Sequence, residues 1–487
     1  MSANVPPLAG NFGIFSKRRK HGFATAKAIL PGVRSQSVDR NGDSMRPKVL
    51  TLFTVIAAIS ALTVSIRNVQ AQEAKQLPRY YVFNLGDPGG GNNAAASSID
   101  DRGWIAGDAF QSDNTTEHAE LWVGVPIDLG TLGGSNSTVA WPNKNDHGQV
   151  AGISETADMN PFDEAWSCAL ANFPSITNHI CYGFLWEAGV MTALPPLQGG
   201  IDSYAAAINN GGQIVGWAEN GVHDPTCNNT PPFNQVLQFE AVVWGPDLGE
   251  MTQLSPLGSD PDSAATAIND KGQIVGISGL CDIAAGNTSA EHAVLWQNKN
   301  APPVNLGNFD GGLAWNTPTA INNRGQVAGF GNQQGSPATA FNPIAFFVDR
   351  QHPIQAIDPL HGDSNSWAWG INNHGTVVGQ SFVAADFPNG RAFIYENGVA
   401  TDMNTLIEPN SSLKLELAND INDAGEIVGF ALDTNTNAYV AFLAVPVSSG
   451  KQPSAVLSGS KAVSDNVAHA PFLGTFSRVA ARSIASR

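Results

Sequence analysis

One phrase, Ile-Asn-Asn/Asp-x-Gly-Gln-Ile/Val-Val/Ala-Gly, recurs seven times along this chain, and such a recurrence leaves few folds open. Copy one reads Ile99-Asp-Asp-Arg-Gly103-Trp-Ile-Ala-Gly107, and copy two starts irregularly as Lys144-Asn-Asp-His-Gly148-Gln-Val-Ala-Gly152. The other five begin at Ile208, Ile268, Ile321, Ile371 and Ile421. The chemistry is that of a hairpin. Asn or Asp starts a tight turn because its short side chain bonds its own backbone, and the glycine supplies the left-handed residue. The flanking Ile and Val suit a pleated, buried surface. A seven-fold calcium loop on these Asn and Asp residues is the lesser reading, because such loops need a bidentate acid and more oxygens.

Two further elements accompany each hairpin. One is a short apolar strand, usually closed by an aromatic, as in Ala241-Val-Val-Trp244 and Ala293-Val-Leu-Trp296. The other is a Leu-Gly or Leu-x-x-Leu strand, as in Leu194-Pro-Pro-Leu197. Four strands per repeat, with turn glycines 45 to 64 residues apart, match a propeller blade in length. Continuous apolar runs fit strands covered on both faces, and 50 Gly with 30 Pro fit many short strands. The expected fold is therefore an all-β, seven-bladed β-propeller over residues 80–446. The strand at 81–86 belongs to the Leu-Gly class that the last repeat lacks, so the N-terminal strand is expected to close the ring and remove the free edges. An open β-solenoid of seven rungs is the alternative.

The repeats resemble the extracellular HAF-repeat family of exported bacterial proteins. Asp128-Leu-Gly-Thr-Leu-Gly-Gly134 reproduces one motif of that family in full, and the Asn-Asn-x-Gly hairpin is another. The His-Ala-Phe strand departs, because His occupies its first slot only at His118 and His292, and Tyr182, Glu240, Ile344, Arg391 and Val440 stand there in other copies. The resemblance implies export and repeats, and no established activity.

Residues 1–71 read as a leader. Basic Arg46-Pro-Lys48, an apolar run from Val49 to Ile66 and a small residue at Ala71 make a secretory signal peptide. Met45 is the expected true start, and contact with the membrane is expected only in transit. The mature chain would then be extracellular or periplasmic. Residues 73–448 carry 10 basic and 39 acidic side chains, which repel phosphate backbones and exclude nucleic acid as a partner. Residues 447–487, basic and without the repeat, read as a flexible tail.

Export would place Cys168, Cys181, Cys227 and Cys281 in an oxidising compartment, where an even count implies two bridges. All four lie in the connections that follow the hairpins of repeats two to four. Pairing Cys168 with Cys181 inside one insertion and Cys227 with Cys281 between neighbours is the favoured of three connectivities. No zincin, nucleophile-elbow, P-loop or dinucleotide motif occurs. The long insertions hold Asp158, Asp163, Glu164, Trp166 and Asp224, a set that could hold a sugar ring or a cation on one rim. The reading is a non-enzymatic binding or surface-associated module, with a glycan or surface component as partner. No cofactor is expected, and calcium is the ion these oxygens would suit. A carbohydrate-active hydrolase or lyase, using carboxylates such as Asp163 and Asp224 held about 5–9 Å apart, is the alternative.

Overall fold

The computed structural model describes residues 77–447, apart from loop stretches at 165–167, 169–172, 176, 228–233, 282–290, 310–315, 334–341, 350–353 and 385–388. The expected leader at 1–71, the expected tail beyond 447 and Trp166 lie outside the described residues. Every element defined is a β-strand, apart from a 3-10 turn at Met403–Thr405. The all-β expectation and the four strands per repeat are both present.

The strands group into four-stranded antiparallel units in chain order. Unit one is β2 (Gly90–Ile99), β3 (Ile105–Gln111), β4 (Glu117–Trp122) and β5 (Pro126–Gly130). Unit two is β6 (Gly133–Thr138), β7 (Gln149–Met159), β8 (His179–Glu187) and β9 (Val190–Leu194). Unit three runs β10 (Ser203–Ile208), β11 (Ile214–His223), β12 (Leu237–Trp244) and β13 (Met251–Gln253). Unit four is β14 (Asp262–Ile268), β15 (Ile274–Gly279), β16 (His292–Trp296) and β17 (Pro303–Gly307). Units five and six span β18 (Thr317–Ile321) to β21 (Gln355–Ile357) and β22 (Asn365–Ile371) to β25 (Val399–Asp402). Unit seven has only β26 (Leu413–Ile421), β27 (Ile427–Asp433) and β28 (Ala438–Pro446) in sequence, and its fourth strand is β1 (Tyr80–Gly86), antiparallel to β28 from Tyr80↔Pro446 onward. A single parallel pair, Asn93↔Tyr439, joins units seven and one into an eight-stranded sheet.

Each motif residue has a visible task in the hairpin between a unit's first two strands. In unit three, Asn209 Oδ1 accepts from the amides of Gly211 and Gln213, both at 3.0 Å. Gly212 sits at φ +72°, where a side chain would be strained. The closing Gly216 answers a different need: a Cβ there would lie 1.8 Å from the Tyr204 carbonyl oxygen. Only glycine lets the second strand press against the bulged first strand at Ala205–Ala207.

The same turns tie unit to unit. The Asn209 side-chain amide donates to the Asn269 carbonyl at 3.0 Å, and equivalent bonds run from Asn145 to Asn209, Asn269 to Asn322, Asn322 to Asn372, Asn372 to Asn422 and Asn422 to Asp100. The next turn position makes a second chain. Backbone amides of Asp101, Asp146, Asn210, Asp270, Asn323, Asn373 and Asp423 each donate to the side-chain oxygen of the following unit's residue. The last of these, Asp423 to Asp101 Oδ1 at 2.8 Å, returns to the first.

Packing follows the apolar elements of the repeat. Trp244 and Trp296 end their third strands fully buried, with Nε1 donating to the carbonyls of Pro195 and Ser255 in the preceding unit's Leu-x-x-Leu segment. Burying a large apolar side chain is worth about 1.5–3 kcal/mol, and the bonded indole leaves no polar cost. A central cluster gathers first-strand residues from many units, including Ala94, Tyr204, Ala264, Trp369 and Leu417. Within it Trp141 of unit two meets Trp369 of unit six, ring centroids 5.4 Å apart.

Candidate functional site

Antiparallel order sets where loops emerge. The Asn turns join strands one and two at one end of every unit. The second-to-third connections and the links between units leave from the opposite end. The long insertions of units two, three and four therefore share that end with the segment preceding β10.

Two disulfides pin these insertions. Cys168 pairs with Cys181 inside unit two's insertion, with Cα atoms 5.7 Å apart. Cys227 pairs with Cys281 between units three and four, at 4.5 Å. Both pairs are the favoured ones. Further contacts join the insertions: the Phe162 ring lies edge-on to His223 at 5.5 Å, and Asn234 donates to the Phe162 carbonyl. Cys281 donates its backbone amide to Thr226 Oγ1 at 3.0 Å. Met159, Phe162, Val222 and Leu280 are exposed large apolar side chains at this end of the units.

The acids singled out in the sequence separate by depth. Asp158 and Asp163 are exposed, with Asp163 at φ +53° in its turn. Glu164 and Asp224 are buried. Glu164 Oε1 accepts from the amides of Val236 and Leu237 at 2.9 and 2.7 Å, drawing unit two's insertion onto β12. It meets Asp202 and Glu219, also buried, and ligand oxygens of the three lie within 4.8 Å of one another. Asp202 Oδ1 accepts from Cys181 N at 2.8 Å and its Oδ2 from Asn160 Nδ2 at 2.9 Å. Glu219 Oε2 accepts from the amides of Ile201 and Asp202. Burial raises the pKa of all three, and their mutual repulsion raises Asp202 and Glu219 further.

Asp224 lies in a second buried group with Asp262. Burial, then the neighbouring Asp224, push the Asp262 carboxyl up to about 9. Asp202 and Asp262 occupy the same place in their units, each accepting from the main chain that enters the preceding unit's third strand. Asn136 makes that bond in unit two, to Glu117 N at 3.0 Å. Sequence reading passed over Asp202 and Asp262 because they sit outside the long loops, and it met Glu219 in unit three's insertion without assigning it a role. Setting the copies side by side would have found Asp202 and Asp262, as acids where other units carry Asn136, Asn316 and Asn365.

At the opposite end the turns frame a cavity of about 50 Å³ lined by Asp101, Lys144, Asp146, Asn210, Asp270 and Asp423, among others. Oxygens of its Asn and Asp residues serve the bonds between units. The variable first slot of the third strand forms surface pairs: His118 with Asp128, His292 with Asp260, and Arg391 with Asp363 and Asp402.

A family described as a protein of unknown function, DUF3466, matches residues 259–442. No curated protein sequence matches the chain. Among solved structures, the chain is similar to a structural genomics protein of unknown function from Bacteroides thetaiotaomicron. Identity is 8% over 76% of this chain and 95% of that one, with a TM-score of 0.30. A gluconolactonase from Xanthomonas campestris matches at 10% identity over 43% and 82%, TM-score 0.24. Dipeptidyl peptidase 4 from Porphyromonas gingivalis matches at 10% over 74% and 47%, TM-score 0.29. At these TM-scores the likenesses bear on neither fold nor function.

Proposed function

We propose that this chain is an exported, seven-bladed β-propeller of the HAF-repeat kind, closed by its N-terminal strand, which binds a glycan on the rim formed by units two to four. Closure, rather than an open solenoid, is favoured by the circuit of seven turn-to-turn hydrogen bonds that ends where it began. The Trp141–Trp369 contact favours it too, since sheets stacked in a line about 10 Å apart would hold units two and six roughly 40 Å from each other. The pairing of β1 with β28 supplies the missing strand. The signal-like segment at 46–71 and two disulfides support export.

One observation carries the binding reading. The chain's two disulfides lie in the insertions of units two to four, where an exposed aromatic, Phe162, stands in sequence between exposed Asp158 and Asp163. An aromatic face with carboxylates beside it suits a sugar ring, which offers C–H groups to the ring and hydroxyls to the acids. Binding is favoured over catalysis because the deeper carboxylates, Glu164 and Asp224, are closed off from a polymer substrate. A glycan panel read by thermal shift tests this. A binding glycan should raise the melting temperature through linkage, and Phe162→Ala or Asp163→Asn should weaken it about tenfold, some 1.4 kcal/mol, with the unliganded melting temperature unchanged. Turnover of any panel member, lost in Asp163→Asn, would contradict the reading.

A further inference from the structure

We propose that Glu164, Asp202 and Glu219, together with the side-chain carbonyl of Gln235, bind one calcium ion that clamps unit two's insertion onto unit three. The inference stands on the buried cluster alone and is independent of the glycan reading.

Four observations carry it. The first is spacing. Ligand oxygens within 4.8 Å of one another are close enough to share one ion, since two oxygens on opposite sides of a calcium ion, about 2.4 Å from each, span that distance; magnesium prefers to keep several waters over an all-protein cage. The donors are all oxygens, which suits a hard cation.

The second is an oxygen without a partner. Gln235, 1% exposed, presses its amide against the cluster, with Nε2 donating to Glu219 Oε1 at 2.9 Å and to the Leu237 carbonyl at 2.7 Å. Its own Oε1 is buried and accepts no hydrogen bond among the described residues. A buried carbonyl left unbonded costs about 1–3 kcal/mol, and a cation among the carboxylates would use it.

Charge is the third. The three carboxylates accept from neutral donors: the amides of Val236, Leu237, Cys181, Ile201 and Asp202, and the side chains of Asn160 and Gln235. The basic group acting on them is His223, an exposed residue whose ring packs on Phe162. Three enclosed negative charges need a counter-charge or protons, and calcium supplies the former.

The fourth is the comparison between units. Asn136 makes the structural bond that Asp202 makes, so the fold does not require a carboxylate at this place. An acid stands there in units three and four, as Asp202 and Asp262, and in unit three Glu164 descends from the insertion to meet it.

The test uses the purified full-length protein, with calcium as the only added ligand. Metal analysis should find one calcium ion per chain, and a chelator should lower the melting temperature reversibly, with magnesium failing to restore it. Asp202→Asn keeps a residue the fold already tolerates in unit two, and Glu164→Gln keeps the acceptor for Val236 and Leu237. Both should fold with their disulfides intact, yet bind calcium about tenfold more weakly or worse and lose the chelator response. No calcium uptake and no chelator effect in the wild-type protein would overturn the proposal. So would an undiminished calcium response in both variants, which would put the ion elsewhere, or equal restoration by magnesium, which would reassign the ion.

Discussion

Lys144 stands where six of the seven repeats carry isoleucine, and its partner explains it. Its Nζ lies 2.6 Å from Asp420 Oδ1, and it also donates to the Ile421 carbonyl at 3.0 Å. Asp420 is fully buried and belongs to unit seven, so the pair joins units seven and two past Ile99, whose amide donates to the other carboxylate oxygen. Burial raises the Asp420 pKa, and Lys144 opposes that shift. Lys144→Ile leaves a buried acid without its cation and should cost about 3–5 kcal/mol. Adding Asp420→Ala, the residue found in units three, four and five, should recover most of the loss, as urea unfolding of the single and double variants will read. The irregular start of the second copy was visible in the sequence, but its partner, 276 residues away, was not. The turn asparagines were legible for the converse reason, because their first bonds are made two and four residues along the chain.

Asp262 gives a pH signature at the same scale. Its carboxyl titrates at about 9 when folded and near 3.8 otherwise, so between these values the folded state binds the extra proton. Its contribution is complete below about pH 4 and is lost as pH rises toward 9. Asp224 and Glu240 face it and oppose ionisation further. The melting temperature in calcium-free buffer should therefore fall from pH 5 to pH 9. Asp262→Asn, which places there the amide that unit two carries at Asn136, should make that fall shallower; an equal slope in the variant would remove Asp262 as the cause.

At the scale of elements, the two disulfides do different work. Cys168 and Cys181 are separated by 13 residues within one insertion, while Cys227 and Cys281 span 54 and join two units. In the chain-entropy account the longer loop stabilises more, about 4 kcal/mol against about 3. Cys227→Ser with Cys281→Ser should lower the denaturant midpoint more than the matching change at Cys168 and Cys181; the reverse order would place the larger constraint inside the insertion. Strand positions were readable because each unit repeats the same apolar words, and the pairing of cysteines followed from loop equivalence. The carboxylate cluster was only half readable. Glu164 stood out in an insertion, but nothing local links it to Asp202, just before β10, or to Glu219, within β11, until the packing of unit two's loop on unit three brings them together. The pair Asp158 and Asp163, equally prominent in sequence, is exposed.

At the scale of the whole molecule, the proposed ring rests on bonds between residues more than 300 positions apart, such as Asn422 Nδ2 to the Asp100 carbonyl at 3.0 Å. No local pattern encodes these; the hint was the lone Leu-Gly strand at the N-terminus and its absence from the last repeat. All cysteines in the described chain are paired, so two introduced thiols can be labelled cleanly. Spin labels at Arg102 and Ala424, exposed neighbours of the Asp101–Asp423 contact, measure closure directly. A closed ring predicts a separation within about two sheet spacings, ~20 Å. A distance on the order of 60 Å, as expected for seven sheets stacked in a line, would contradict it.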